Sequence, residues 1–217
     1  MRQLPNIITL SRVVVLGLIA WTAFADWRGA ATLTFFLLLY GAISDFVDGY
    51  LARRYGLVTN FGKIMDALVD KIMVLGSLVV VILLDLLFPP FFDVILPAWL
   101  GPTVLATVLV ALIAVREIGI TLLRLVAARK GVVLAAEKSG KRKAIWQITA
   151  ICVLLAQPMF ALDVSAWTGL ELQLWSDYVW INGLLYFLLA AYLTIVSGAA
   201  YINRYWKVVL APAPTAG

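Results

Sequence analysis

The sequence predicts an all-α integral membrane protein, with six transmembrane helices in one bundle, a short N-terminal interfacial segment and both termini cytoplasmic. Three observations lead there. Of the 217 residues, 64% are hydrophobic and the mean hydropathy is +1.00, which excludes an ordinary soluble domain. A spanning helix needs about 20 mostly apolar residues, so the chain has room for six spans with short connections. Lysine and arginine gather at the two termini and after the second and fourth apolar stretches, while the opposite connections are acidic. By the positive-inside rule the basic side is cytoplasmic. Residues 1–217 read as a single domain without internal repeats. The net charge of +5 follows from this topology and from anionic lipid, and does not point to nucleic acid.

Taken in order, the spans are expected at 7–26, 30–54, 62–88, 97–128, 142–162 and 178–204. The opening from Met1 to Thr9 lacks the basic start and small-residue cleavage site of a signal peptide, and reads as interfacial. Asn6, Thr9 and Arg12 then recur every three residues on an apolar helix. This polar stripe is either a helix start with a snorkelling arginine or part of a polar cavity in the bundle. Asp26, Asp85, Asp93, Asp163, Glu171 and Asp177 mark the outer connections, where Trp27, Trp99, Trp167, Trp175 and Trp180 form an aromatic belt. Residues 88–93 read as an interfacial turn, and 211–217 as a proline-rich tail.

The chemistry concentrates between the second and third spans. Asp45 and Asp48 are three residues apart and share a helix face; Asp66 and Asp70, four apart, share another. Acids inside a membrane are costly and usually functional. Four clustered carboxylates repel one another unless cations neutralise them, so this is a site for hard divalent ions. The chain has no histidine and one cysteine, Cys152, which leaves oxygen ligands and hence Mg2+ or Mn2+. A general base must then be a carboxylate or a side chain made basic by its surroundings. The blander alternative is a buried ion network of these aspartates with Arg53, Arg54, Lys63 and Lys71.

The spacing Asp45-x2-Asp48-Gly49-x2-Ala52-Arg53-x8-Gly62-x3-Asp66-x3-Asp70 resembles the signature of the CDP-alcohol phosphotransferases and fills each of its positions. That resemblance implies a six-helix membrane enzyme with two divalent metals, in which an alcohol hydroxyl displaces CMP from a CDP-linked lipid. It implies that Asp45, Asp48 and Asp66 hold the metals, with Asp70 sharing one and taking the hydroxyl proton. Gly49, Ala52 and Gly62 would let the cytidine approach helix backbone, and Arg53 would steady the site. Members of the family are typically homodimers. The expected location is the inner membrane of a bacterium, with the site facing the cytoplasm.

A second constellation lies on the fourth span. Arg116 and Arg124 are two turns apart and can point into the bundle from one face, with Thr121 close by. An arginine so deep needs an anionic partner. Adjacent Glu117 is not expected to be that partner, because neighbouring helix residues diverge. The two arginines with Lys141 would form a pocket for a phosphate dianion. A CDP-lipid whose pyrophosphate is already neutralised by metal does not need such a pocket, whereas a phosphorylated alcohol such as glycerol 3-phosphate does. Lys138, Arg142 and Lys143 can equally be flanking positive-inside charge.

Within the family, Arg116-Glu117-x2-Ile120-x3-Arg124 and Gly140-Lys141-x-Lys143, with Gln147, resemble members that make phosphatidylglycerophosphate from CDP-diacylglycerol and glycerol 3-phosphate. Ala144 departs from the threonine many of them carry. A cardiolipin synthase or a phosphatidylinositol-phosphate synthase is the nearest rival. An ion-coupled transporter is the rival from another class, although no repeated halves with interrupted helices are evident.

Overall fold

The structure, a computed structural model, describes residues 4–54, 60–97, 99–129 and 138–210. Among the described residues every regular element is helical. The long helices are α1 (Leu4–Ala23), α2 (Ala30–Arg54), α3 (Asn60–Leu83), α4 (Pro102–Arg129), α5 (Lys138–Pro158) and α7 (Gln173–Leu210). A 3-10 turn (Pro90–Val94) precedes α4, and a π-helical stretch (Met159–Val164) with the short α6 (Ser165–Thr168) prolongs α5. Among the described residues, four stretches are long and apolar enough to cross a membrane: Ala30–Val47, Pro102–Ala128, Arg142–Thr168 and Gln173–Tyr205. Ser11–Ala23 of α1 is a shorter apolar helix. The chain is thus a multi-pass membrane protein. In α3, Asp70 and Lys71 interrupt the apolar run that follows them.

Contacts between helices trace a ring in the order α1, α2, α5, α7, α4 and α3, which closes on α1, and α3 also meets α5 across the middle. Ile19, Leu78, Val81, Ile113, Ile151, Leu154 and Phe187 fill the interior with almost no exposure. The closest approach is between α5 and α7. A Cβ on Gly183 would stand 2.8 Å from Leu154 Cγ and 3.2 Å from its backbone nitrogen, so only glycine lets these two backbones meet so tightly.

The fifth helix runs further than its sequence suggests. The expected end at residue 162, with Asp163 in a loop, gives way to continuous helix as far as Thr168. Pro158 lies at the junction between α5 and the π turn; its missing N–H already breaks the regular ladder there. The turn rotates Asp163 inward, where it is 5% exposed. Its carboxylate accepts the N–H groups of Gly29 (2.8 Å) and Thr32 (2.7 Å) and the Thr32 hydroxyl (2.8 Å). It therefore caps the first turn of α2 from another helix, satisfying donors that α2 cannot satisfy itself. Trp180 also departs from the belt, donating its indole N–H to the Leu86 carbonyl at 2.7 Å. Trp27, Trp99, Trp167 and Trp175 are exposed.

Candidate active site

Connections between the long helices are short, so successive helices alternate in direction. This brings the first half of α1, the end of α2, the start of α3, the second half of α4, the start of α5 and the second half of α7 to one end of the bundle. The predicted site residues fall on those segments. The backbones of Asn6, Thr9, Asp48, Ala52, Arg53, Gly62, Asp66 and Lys141 are helical, but their side chains lie outside the described residues. Gly49, in the last turns of α2, is half-buried.

The acidic half gathers around Arg12. This arginine is 1% exposed, and its guanidinium is ion-paired with Asp45 across the α1–α2 contact. Of the two readings of the α1 stripe, Arg12 follows the second: it turns inward, toward an acid of the signature. A small cavity of about 30 Å3 lies behind the pair, bordered by Arg12, Asp45, Asp70 and Ser77. The Ser77 hydroxyl is buried there without a hydrogen-bond partner. The cavity has room for a single water-sized group. Asp45 and Asp70 thus reach one cavity from two helices. Carboxylate oxygens are the hard donors a divalent cation takes, although in this structure Arg12 is paired with Asp45 and the rest of the cavity wall is largely apolar. Among the described residues no group of three or more acids, cysteines or histidines is placed to hold a metal ion.

The basic half is built on α4 and seated on α7. Arg116 donates from Nη2 to the Ser197 hydroxyl at 2.9 Å. Its stem crosses Gly198, where a Cβ would come within 2.8 Å of Arg116 Cγ. Arg124 donates from Nε to the Tyr201 hydroxyl at 3.1 Å, and its guanidinium lies 5.2 Å from the centre of that ring, close enough for a cation–π contact. Ser197 and Tyr201 are four apart, so one stripe of α7 receives both arginines.

The expectation for Glu117 is corrected by this geometry. Arg116 donates from Nη1 to Glu117 Oε1 at 2.8 Å, and the same oxygen is ion-paired with Lys143 of α5. The backbone directions of adjacent residues do diverge. Both side chains are long enough to bend back toward Lys143, and the low exposure of all three groups makes each charge costly without a partner. Thr121 donates its hydroxyl to the Glu117 carbonyl at 2.7 Å, a bond within its own helix. Lys71 is within electrostatic reach of Asp70, Arg124 and Arg116. Lys143 is within reach of Arg116, Lys71 and Asp70. The two halves therefore meet at Asp70.

Comparison with known proteins gives the family. The CDP-alcohol phosphatidyltransferase family matches residues 2–210. The chain belongs to that family. It is a phosphatidyltransferase by this membership, and the family generally depends on a divalent metal. The chain is 32% identical to the CDP-diacylglycerol–glycerol-3-phosphate 3-phosphatidyltransferase of Bacillus subtilis, over 96% of this chain and 98% of the relative. It is 33% identical to CDP-diacylglycerol–glycerol-3-phosphate 3-phosphatidyltransferase 1, chloroplastic/mitochondrial, of Arabidopsis thaliana, over 95% and 64%. It is also 30% identical to a cardiolipin synthase (CMP-forming) of Oryza sativa subsp. japonica, over 95% and 58%.

Several residues of this phosphatidyltransferase's site escape sequence reasoning. Ser197, Gly198 and Tyr201 sit in an apolar helix and acquire meaning only from partners 77 or more residues away. Their one local sign is a small and polar stripe at helical spacing. Lys71 reads from sequence only as a member of a possible ion network and Lys143 only as part of the Gly140-Lys141-x-Lys143 resemblance or as flanking charge; the fold gives them Arg116 and Asp70 as neighbours.

Proposed function

We propose that the protein transfers the phosphatidyl group of CDP-diacylglycerol to glycerol 3-phosphate, giving phosphatidylglycerophosphate and CMP. The observation that carries this is the cluster of basic side chains beside Asp70. Arg116, Arg124, Lys71 and Lys143 converge on the acidic half, more positive charge than a neutral alcohol would need. The names of the Bacillus and Arabidopsis relatives point the same way.

In this reading Arg116, Arg124 and Lys141 take the acceptor phosphate as charge-assisted hydrogen bonds. Thr121 joins them if its hydroxyl turns from the Glu117 carbonyl. Gly49, Ala52 and Gly62 leave room for the cytidine, and Arg53 steadies the donor. Asp70 receives the proton of the acceptor hydroxyl as its oxygen bonds to the phosphatidyl phosphorus and the bond to the CMP oxygen breaks. Asp45, Asp48, Asp66 and Asp70 would hold two Mg2+ or Mn2+ ions. When bound, such ions neutralise a pyrophosphate and stabilise a departing phosphate oxygen. Around the site we place six crossings with both termini in the cytoplasm, in a homodimer in the bacterial inner membrane.

The rice relative supports a second reading, a cardiolipin synthase with phosphatidylglycerol as acceptor. CMP release from CDP-diacylglycerol, with glycerol 3-phosphate, phosphatidylglycerol and inositol phosphate offered in turn, separates these. The proposal expects turnover with the first. In that assay Arg116→Ala or Arg124→Ala should cost on the order of 2–4 kcal/mol in kcat/KM for the acceptor, with the donor KM little changed. A rise in the donor KM alone would assign the arginines to the lipid.

A further inference from the structure

Glu117 is an acid at the centre of a pocket read as receiving an anion, and the transfer chemistry gives it no task. It is 15% exposed, between Arg116 at 13% and Lys143 at 7%. Its Oε1 is bonded to Arg116 Nη1 at 2.8 Å and ion-paired with Lys143 Nζ. A carboxylate held by two cations is a weak base, and its charge would repel a phosphate that touched it. We infer that Glu117 is a positioning residue, whose carboxylate holds Arg116 of α4 and Lys143 of α5 side by side so that the phosphate meets a pocket already assembled. This rests on the acceptor reading above.

The charges support that role. Among the described side chains, four basic groups, Arg116, Arg124, Lys71 and Lys143, lie near two carboxylates, Asp70 and Glu117. This excess of positive charge suits an anionic acceptor. Without Glu117, Arg116 and Lys143 would stand together in a largely buried space and repel each other. Lys143 lies in the first turns of α5, so Glu117 is also the bond that fixes that end of α5 to α4 at the pocket. Ser197 constrains Arg116 from the other side, and no corresponding partner from α7 is seen for Lys143 among the described residues.

The test uses the full chain in detergent, following CMP release with CDP-diacylglycerol and glycerol 3-phosphate varied separately. Glu117→Gln should raise the KM for glycerol 3-phosphate roughly tenfold or more, with the KM for CDP-diacylglycerol within about twofold. Glu117→Asp, which keeps the charge on a shorter arm, should recover part of the loss. Because Glu117 acts through Lys143, adding Glu117→Gln to Lys143→Gln should cost much less than it costs in the wild type. Unchanged acceptor KM in Glu117→Gln overturns the inference, as do costs that multiply in the double variant. A parallel rise of both KM values with a lowered Tm shows a merely structural role and also overturns it. If Glu117→Gln fails to fold, Glu117→Asp alone and combined with Lys143→Gln decides on the same criteria. A wild type that ignores glycerol 3-phosphate and turns over another alcohol overturns the acceptor reading itself, and this role with it.

Discussion

Arg12 sits in an apolar helix at 1% exposure, where an unmatched charge would be prohibitive. Its pairing with Asp45 supplies a positive charge at the acidic half from within the chain itself. Removing it should therefore hurt the metal-free protein most. Arg12→Ala is expected to cost about 1–2 kcal/mol of stability without divalent metal, less than a fully buried pair because Asp45 is partly exposed. Added Mg2+ should restore the variant's Tm by more than it raises that of the wild type; thermal unfolding in detergent with and without the ion checks this. At the same scale, Asp48→Asn and Asp66→Asn should each lose most CMP release while keeping the wild-type Tm in excess EDTA, whereas Asp45→Asn should lose CMP release and also lower that Tm, because it weakens the pairing of the buried Arg12. Full turnover in any one would remove that residue from the metal set.

Among the elements, α7 is the one whose role the sequence hides. The acids of α2 and α3 are legible because residues three and four apart share a helix face, a relation that depends on local geometry alone. Arg116 and Arg124 stand out on α4 because charge is rare inside a span. Ser197, Gly198 and Tyr201 give no such sign, since seating an arginine is a tertiary property that no local period records. Gly198→Ala should reveal it. The new methyl would stand 2.8 Å from Arg116 Cγ, so the guanidinium must leave Ser197. The KM for the acceptor should rise roughly tenfold or more, about the worth of one hydrogen bond to a charged group, with the donor KM unmoved. A silent Gly198→Ala would mean that Arg116 can serve from another seat. The extension of the fifth helix was hidden for a related reason. Asp163 reads as an acid of an outer connection, whereas its partners on α2 are reached with the helix continuing past it.

For the whole molecule, orientation is the property that decides which compartment supplies the acceptor. In a Cys152→Ser background, a cysteine at the exposed Arg54 should react with a membrane-impermeant reagent from the cytoplasmic side, and one at the exposed Glu171 from the opposite side. The reverse pattern would put the chemistry outside. The ring of helices has its catalytic groups at one end and its cap at the other, which gives Asp163 a mechanical consequence. A helix pinned at one tip is a lever: from Thr32 to Asp45 the arm is about 20 Å, so a slip of about 5° at the cap swings Asp45 by about 2 Å. Misplacement of that size is enough to cost roughly a hundredfold in rate. Asp163→Ala, made far from any substrate, should thus behave like an injury to catalysis, with kcat falling sharply while both KM values stay near wild type. The fulcrum of the enzyme would then lie at the end of the bundle opposite the proposed site.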